Sequence, residues 1–337
     1  MKRFMPLLIA ALVFLVLPVF VQDDYILLAC INIFLFAYLA TAWNIVGGFA
    51  GQLSFGHSAF MAIGGYISSL LFIHLGLTPW IGMIIGGIVS AIVAVLIGVP
   101  TFKLKGAYYA IATIAFSGGL LTILNTVQHI GKIELGASEG IVVPYKSDAT
   151  FLDFQFVEKL PYYYIIYVFL AIILFVSWYI DRSKLGFYLT ALREDEDAAK
   201  ALGINTSRVK LYAAAISAFF TGIGGTYFGQ LTMYILPDTI AGAGMSVQMV
   251  FLSIVGGIGT VFGPFVGSLF LTTIGEITRV SLGDSIPGLH LVIYGTIVAL
   301  IILFCPKGIL EPLQNLLSKR KERKVIDGRV VANQRSK

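Results

Sequence analysis

Runs of apolar residues as long as a membrane is thick are the strongest constraint on this chain. The segment Ile26 to Val46 carries no charged side chain from end to end. A bilayer core of about 30 Å is crossed by roughly 20 helical residues at about 1.5 Å each. The apolar residues are gathered into such blocks and follow neither a helical nor an alternating period. With 58% apolar residues and 36 glycines, the composition is that of an all-α, polytopic transmembrane helical bundle.

Ten spans can be marked: Phe4 to Val21, Ile26 to Val46, His57 to Gly76, Pro79 to Thr101, Gly106 to Val127, Tyr162 to Ile180, Leu211 to Tyr234, Met245 to Val255, Pro264 to Val280 and Gly288 to Phe304. Met245 to Val255 is short for a full crossing. With the N-terminus cytoplasmic, all of the 23 basic residues except Lys132, Lys146, Lys159 and Arg279 fall on the cytoplasmic side. Acidic residues divide almost evenly, ten outside and eight inside. That bias in Lys and Arg sets both the number of crossings and their direction, with both termini cytoplasmic. The net charge of +5 belongs to this face and to membrane lipid, and calls for no nucleic-acid partner. The first apolar run ends in VFVQDD without a small-residue cleavage pattern, so it reads as a retained span. Cys30 and Cys305 fall near opposite faces, too far apart for a disulfide.

The organisation is one transmembrane domain over residues 1–306 and a basic cytoplasmic tail over 307–337, with KRKERK at Lys319 to Lys324 placed near anionic lipid. Two polar loops interrupt the membrane domain, one outside at 128–161 and one inside at 181–210. The run Ile45 to Gly48 is echoed by Ile254 to Gly257, each where a span meets the cytoplasmic side.

Catalytic chemistry is missing. There is no GxxxxGK[ST] phosphate loop, so the chain does not hydrolyse ATP by itself. His57, His74, His129 and His290 are scattered, with neither HExxH spacing nor cysteine pairs, so no metal site is expected. No cofactor is implied. Charge within the spans is confined to Glu276 and Arg279, three apart on one helical face and read as an ion pair, which disfavours proton coupling.

Glycine supplies the other signal. Small-xxx-small spacings permit close helix approach. The stretches GGFAGQLSFGHS and GGIGTVFGPFVG are too rich in glycine for a smooth helix, and point to broken helices or tight re-entrant turns beside a pathway or gate. Gly257, Gly259 and Gly263 belong to the second. Ser54, Gly56, His57, Ser58, Thr113 and Ser117 could line a pathway of modest polarity, or could bond within the helices they occupy.

The inner loop contains REDEDAAKALG, from Arg193 to Gly203. At about 100° per residue Leu192, Ala198, Ala199 and Leu202 share one side of a helix, while Glu196 with Lys200, and Arg193 with Asp197, have the spacing of ion pairs. Gly203 is a helix stop. Two readings stand: a solvated connector, or a docking surface for a cytoplasmic partner such as an ATPase.

DAAKALG resembles the EAA-xxx-G coupling motif of ABC importer permeases, with Asp197 in place of Glu. The wider ALREDEDAAKALGINTSRVKLYAAAISAFFTGIGG, together with GQLSFGHSAFMAIGGY, KLKGAYYAIATIAF and GGIGTVFGPFVGSLF, resembles the M-type branched-chain amino acid permeases. The resemblance covers most of the chain from Trp43 to Pro312. It implies a heteromeric importer of the plasma (inner) membrane, with a second permease subunit, two cytoplasmic ATPase subunits and an extracytoplasmic binding protein. Arg193, Glu196, Asp197, Ala198, Ala199 and Gly203 would then form the helix that sits in a groove of an ATPase. Two features depart from the pattern: the Ile-x-Leu-Pro that follows the motif in many importers is missing, and Ala137 in LGASEGI stands where the family is usually richer in glycine. The expected cargo is leucine, isoleucine and valine; urea or short amides in the same class of importer, or a self-sufficient secondary transporter, are the alternatives.

Overall fold

Asp23 opens the first well-defined span: its carboxylate accepts from the amides of Tyr25 and Ile26 at 2.8 and 3.3 Å, which satisfies donors that a helix start leaves unpaired. The helix α1 runs from Asp24–Asn44 and widens into a π-helical turn over Ile45–Phe49. This computed structural model describes residues 14–20, 23–131, 133–146, 150–282, 289–305 and 308–311. Most of the expected first span, and the Lys319 to Lys324 cluster, lie outside these residues; residues 14–20 are helical.

Beyond α1 come α2 (His57–Leu75), α3 (Pro79–Thr101) and α4 (Ala107–Thr126). A loop with the short pair β1 (His129–Ile130) and β2 (Ile133–Glu134), and the strand β3 (Ile141–Val142), leads to α5 (Lys159–Arg182). Two short helices follow, α6 (Lys184–Glu194) and α7 (Glu196–Ala201), then α8 (Thr206–Thr232). Strand β4 (Tyr234–Ile235), α9 (Pro237–Ile240), α10 (Ala243–Gly257), α11 (Gly263–Leu282) and α12 (Leu289–Phe304) complete the order. Among the described residues, seven helices are long and apolar enough to cross a membrane.

Two boundaries differ from the sequence reading. The crossing expected at Met245 to Val255 is not short, because α9 and α10 together make a stretch of 21 residues, Pro237–Gly257. The helix expected from Leu211 begins five residues earlier, at Thr206, because the Asn205 side chain accepts from the Arg208 amide at 3.1 Å and so sets the start.

Helices α2, α3 and α8 form one packed group, α10, α11 and α12 a second, and α1 lies between them and touches both. Its position explains its composition: a helix that is apolar all round has no side to show to solvent, and Ile31, Ala37, Leu39 and Trp43 are fully buried. Glycine brings the first group together at backbone distance. A Cβ on Gly64 would stand 2.0 Å from the Gly222 carbonyl oxygen, and one on Gly225 would stand 1.9 Å from that of Met61. In lipid, where apolar side chains gain nothing by leaving one apolar medium for another, such close van der Waals approach and interhelical hydrogen bonds hold helices together.

The loop between α4 and α5 caps the end of the bundle where α2 ends and α3 begins. The Trp80 indole donates to the Phe151 carbonyl at 2.9 Å, and the two rings stack at 5.2 Å. Strand β3 pairs antiparallel with β4, Ile141 opposite Ile235. Ala137, at φ 45°, occupies the left-handed region that glycine adopts without strain.

Candidate functional site

The charged loop is not the single helix expected from Leu192 to Leu202. The chain breaks at Asp195, which is extended (φ −156°) and whose carboxylate accepts from the amides of Asp197 and Ala198 at 2.9 and 3.0 Å. A capping aspartate stabilises a new start by about 1 kcal/mol, and here it outweighs helix continuity. The break reorders the faces. Leu192 and Ala199 are buried at 3% and 2% exposure, whereas Ala198 and Ala201 face outward and Leu202 is 81% exposed. Gly203, at φ 84°, turns the chain so that the Ile204 amide reaches the Ala199 carbonyl at 3.1 Å, closing the helix end.

Charged bonds anchor this unit to the bundle. Glu196 pairs with Lys200 at 3.0 Å, as its spacing implied, and also with Lys210 of α8 at 2.7 Å. Lys210 is only 1% exposed and would be costly to bury without that carboxylate. Burial works to raise the Glu196 pKa, but hydrogen bonds from Lys210 and Lys200 outweigh it and hold the carboxyl below its ordinary value. Asp197 pairs not with Arg193 but with Lys105, just before α4, at 2.9 Å, and the hydrogen bond from that ammonium lowers its pKa. Arg193 lies on α6, before the break, and donates to the Gly48 carbonyl at 3.2 Å.

The six polar or small residues proposed along a pathway are brought together at the start of α2 and on the facing side of α4. His57 is 1% exposed, with Nδ1 3.1 Å from Ser54 Oγ and Nε2 2.7 Å from Ser217 Oγ. Ser217 spends its proton on the Ala42 carbonyl at 2.6 Å. It therefore accepts from Nε2, and Ser54 donates to Nδ1. The Thr113 hydroxyl accepts from the Phe55 amide at 3.0 Å, and a Cβ on Gly56 would press on the Thr113 carbonyl at 3.2 Å. Ser58 and Ser117 bond at 2.8 Å, and the Ser58 amide donates to Ser246 at 2.8 Å. These bonds stitch α2 to α4, α8 and α10. The gap bordered by Ser54, His57 and Thr113 has a volume of about 20 Å³, room for about one water molecule and none for an amino acid.

Gly257, Gly259 and Gly263 form a second group, in the turn between α10 and α11. Neither glycine-rich stretch interrupts a helix midway; each joins the end of one long helix to the start of the next. The two turns touch, because Asn44 donates to the Thr260 carbonyl at 2.9 Å and accepts from the Gly259 amide at 2.9 Å. The echoed sequences at Ile45 and Ile254 therefore end at the same place. Asn44, Ser217, Ser246 and Lys210 were not singled out from sequence. Asn44 was visible as a polar residue inside an apolar run and Lys210 stood just before one; nothing marked the two serines.

Membrane-length helices fastened by buried polar bonds, with a salt-bridged helical loop displayed at one end, define a multi-pass membrane domain. The chain belongs to the family described as "Branched-chain amino acid transport system / permease component", matched over residues 25–305. It is 30% identical over 294 residues to the high-affinity branched-chain amino acid transport system permease protein LivM of Salmonella typhimurium, covering 82% of this chain and 68% of that one. The LivM protein of Escherichia coli is 29% identical over 297 residues, with the same shares covered. A LivH permease of Salmonella typhimurium is 26% identical over 297 residues, 82% of this chain and 91% of the other. No solved structure matches.

Proposed function

We propose that this permease forms half of the translocation pathway of an ATP-driven importer for leucine, isoleucine and valine, and hydrolyses no ATP itself. It crosses the plasma membrane ten times, with both termini and the α6–α7 unit cytoplasmic. A second permease completes the pathway, two ATPases dock on the cytoplasmic loops, and a binding protein delivers substrate to the side of the α4–α5 loop. In this arrangement α7 sits in a groove of an ATPase, with the outward-facing Ala198 and Leu202 as its apolar contact.

One observation carries the reading. Leu202 is 81% exposed at the C-terminal end of α7, a short helix that Glu196 and Asp197 tie by ion pairs to Lys210 and Lys105. A solvated connector has no use for an apolar knob held among charges, whereas a docking helix does. The gap at His57, far too small for leucine, supports the half-pathway reading. The outer face of α4 fits the second permease: beside Ile111, Ile114 and Ile123 it presents the small residues Ala115, Gly118, Gly119 and Thr122, where α3 presents Ile84, Ile88, Ile92 and Leu96. Small residues let a partner helix approach closely, and bulky ones suit lipid.

The test is Ala198→Glu combined with Leu202→Glu, both on the surface. The variant should insert at normal abundance, lose co-purification of the ATPases and lose at least ten-fold in leucine uptake. Wild-type uptake at normal abundance sinks the assignment of α7.

A further inference from the structure

Arg193 is where the α6–α7 unit and both glycine turns meet. It is the penultimate residue of α6, and its side chain, 35% exposed, leaves the loop surface and runs toward the bundle. There Nη1 donates to the Gly48 carbonyl at 3.2 Å, while Nη2 lies 3.3 Å from Glu194 Oε1. A Cβ on Gly51 would stand 2.8 Å from the Arg193 Cγ, and one on Gly259 would stand 2.3 Å from Nη1. Both glycines have positive φ, 66° and 73°. Their missing side chains make the slot through which the guanidinium passes.

That slot borders a cavity of about 730 Å³ lined by Gly47, Leu53, Arg193, Ile258 and Thr260 among others. Asn44 already clamps the two turns to each other through Gly259 and Thr260. The turns in turn join α1 to α2 and α10 to α11, and α2 and α10 take part in the buried serine and histidine bonds. A push on Arg193 therefore reaches the ends of four long helices at once. Arginine suits this because its guanidinium is flat, always charged and holds several donors in a fixed fork; a lysine ammonium on a flexible stem fixes neither direction nor spacing.

We propose that Arg193 is the positioning residue that carries movement of the α6–α7 unit to the paired glycine turns. ATPase motion at α7 thereby shifts the ends of α1, α2, α10 and α11 together. The proposal rests on the reading of α7 as a docking helix. It assigns Arg193 to the bundle side of the loop, distinct from the surface that meets the ATPase.

The experiment uses the complete transporter in lipid nanodiscs: this chain, the second permease, the ATPases and the binding protein. With Cys30 and Cys305 replaced by serine, a single cysteine in this chain replaces Ile258, which is 37% exposed in the second turn. With Arg193 present, its labelling by a membrane-impermeant maleimide should change several-fold between nucleotide-free and vanadate-trapped states. In the Arg193→Met background that change should vanish while ATP hydrolysis keeps at least half its rate, and in proteoliposomes leucine uptake should fall at least ten-fold. Arg193→Lys should be intermediate.

A full labelling change in Arg193→Met, or loss of hydrolysis together with uptake, overturns the proposal. ATPases that fail to co-purify with the unmodified chain remove the docking reading and the lever with it. A nucleotide-dependent labelling change that needs Arg193, in a complex that does not import leucine, upholds the lever and corrects only the cargo.

Discussion

Single atoms decide much of this fold, and glycine shows it most directly. At Gly225 a Cβ would meet the Met61 carbonyl at 1.9 Å, and backbone cannot move aside as a flexible side chain can. At Gly118, on the exposed face of α4, a Cβ meets nothing within 4 Å. Gly225→Leu should therefore drive α2 and α8 apart and abolish the folded, monodisperse protein in detergent. Gly118→Leu in the isolated chain should shift the thermal midpoint by less than about 2 °C, equivalent to less than ~1 kcal/mol. Equal effects at the two positions would contradict the packing of the first helix group. Asp195 works at the same scale: one carboxylate capping two amides splits the charged loop and turns Leu202 outward.

Among the elements, the α6–α7 unit depends on the pair of Glu196 with Lys210. Lys210 is 1% exposed, 2.7 Å from that carboxylate and 5.9 Å from the Phe102 ring centroid. Glu196→Ala leaves a buried ammonium without its anion and should cost about 2–3 kcal/mol, discounted because Glu196 keeps some exposure. Replacing both, Glu196→Leu with Lys210→Met, should recover most of that loss, and a double-mutant cycle in thermal midpoint measures it. Full additivity of the two single changes would show that the pair is not coupled. This unit also shows what was legible in advance. The seven membrane-length helices among the described residues were readable because a 20-residue apolar block has few other fates, and Gly203 was readable as a stop because glycine turns a helix end at little steric cost. Which face of the loop points out was not, because the break at Asp195 depends on a local competition that helical periodicity ignores. The partners of Asp197 and Arg193 were equally hidden. Lys105 and Gly48 are distant in sequence, and only the packing of the helices brings them near.

At the scale of the whole molecule, the buried polar residues fasten the helices to one another. Ser54, His57, Ser58, Thr113 and Ser117 spend their polar atoms on one another or on neighbouring helices. In the proposed assembly, the gap they leave beside His57 admits no amino acid, and conduction runs along a face completed by another subunit, which makes ATP and the partners indispensable. The most direct measurement is uptake of labelled leucine into proteoliposomes holding this chain with its second permease, its ATPases and its binding protein. Uptake should require ATP and every partner, and should be suppressed by unlabelled isoleucine and valine. Leucine uptake by this chain alone or without ATP, or uptake of labelled urea in place of leucine, would contradict the central claim.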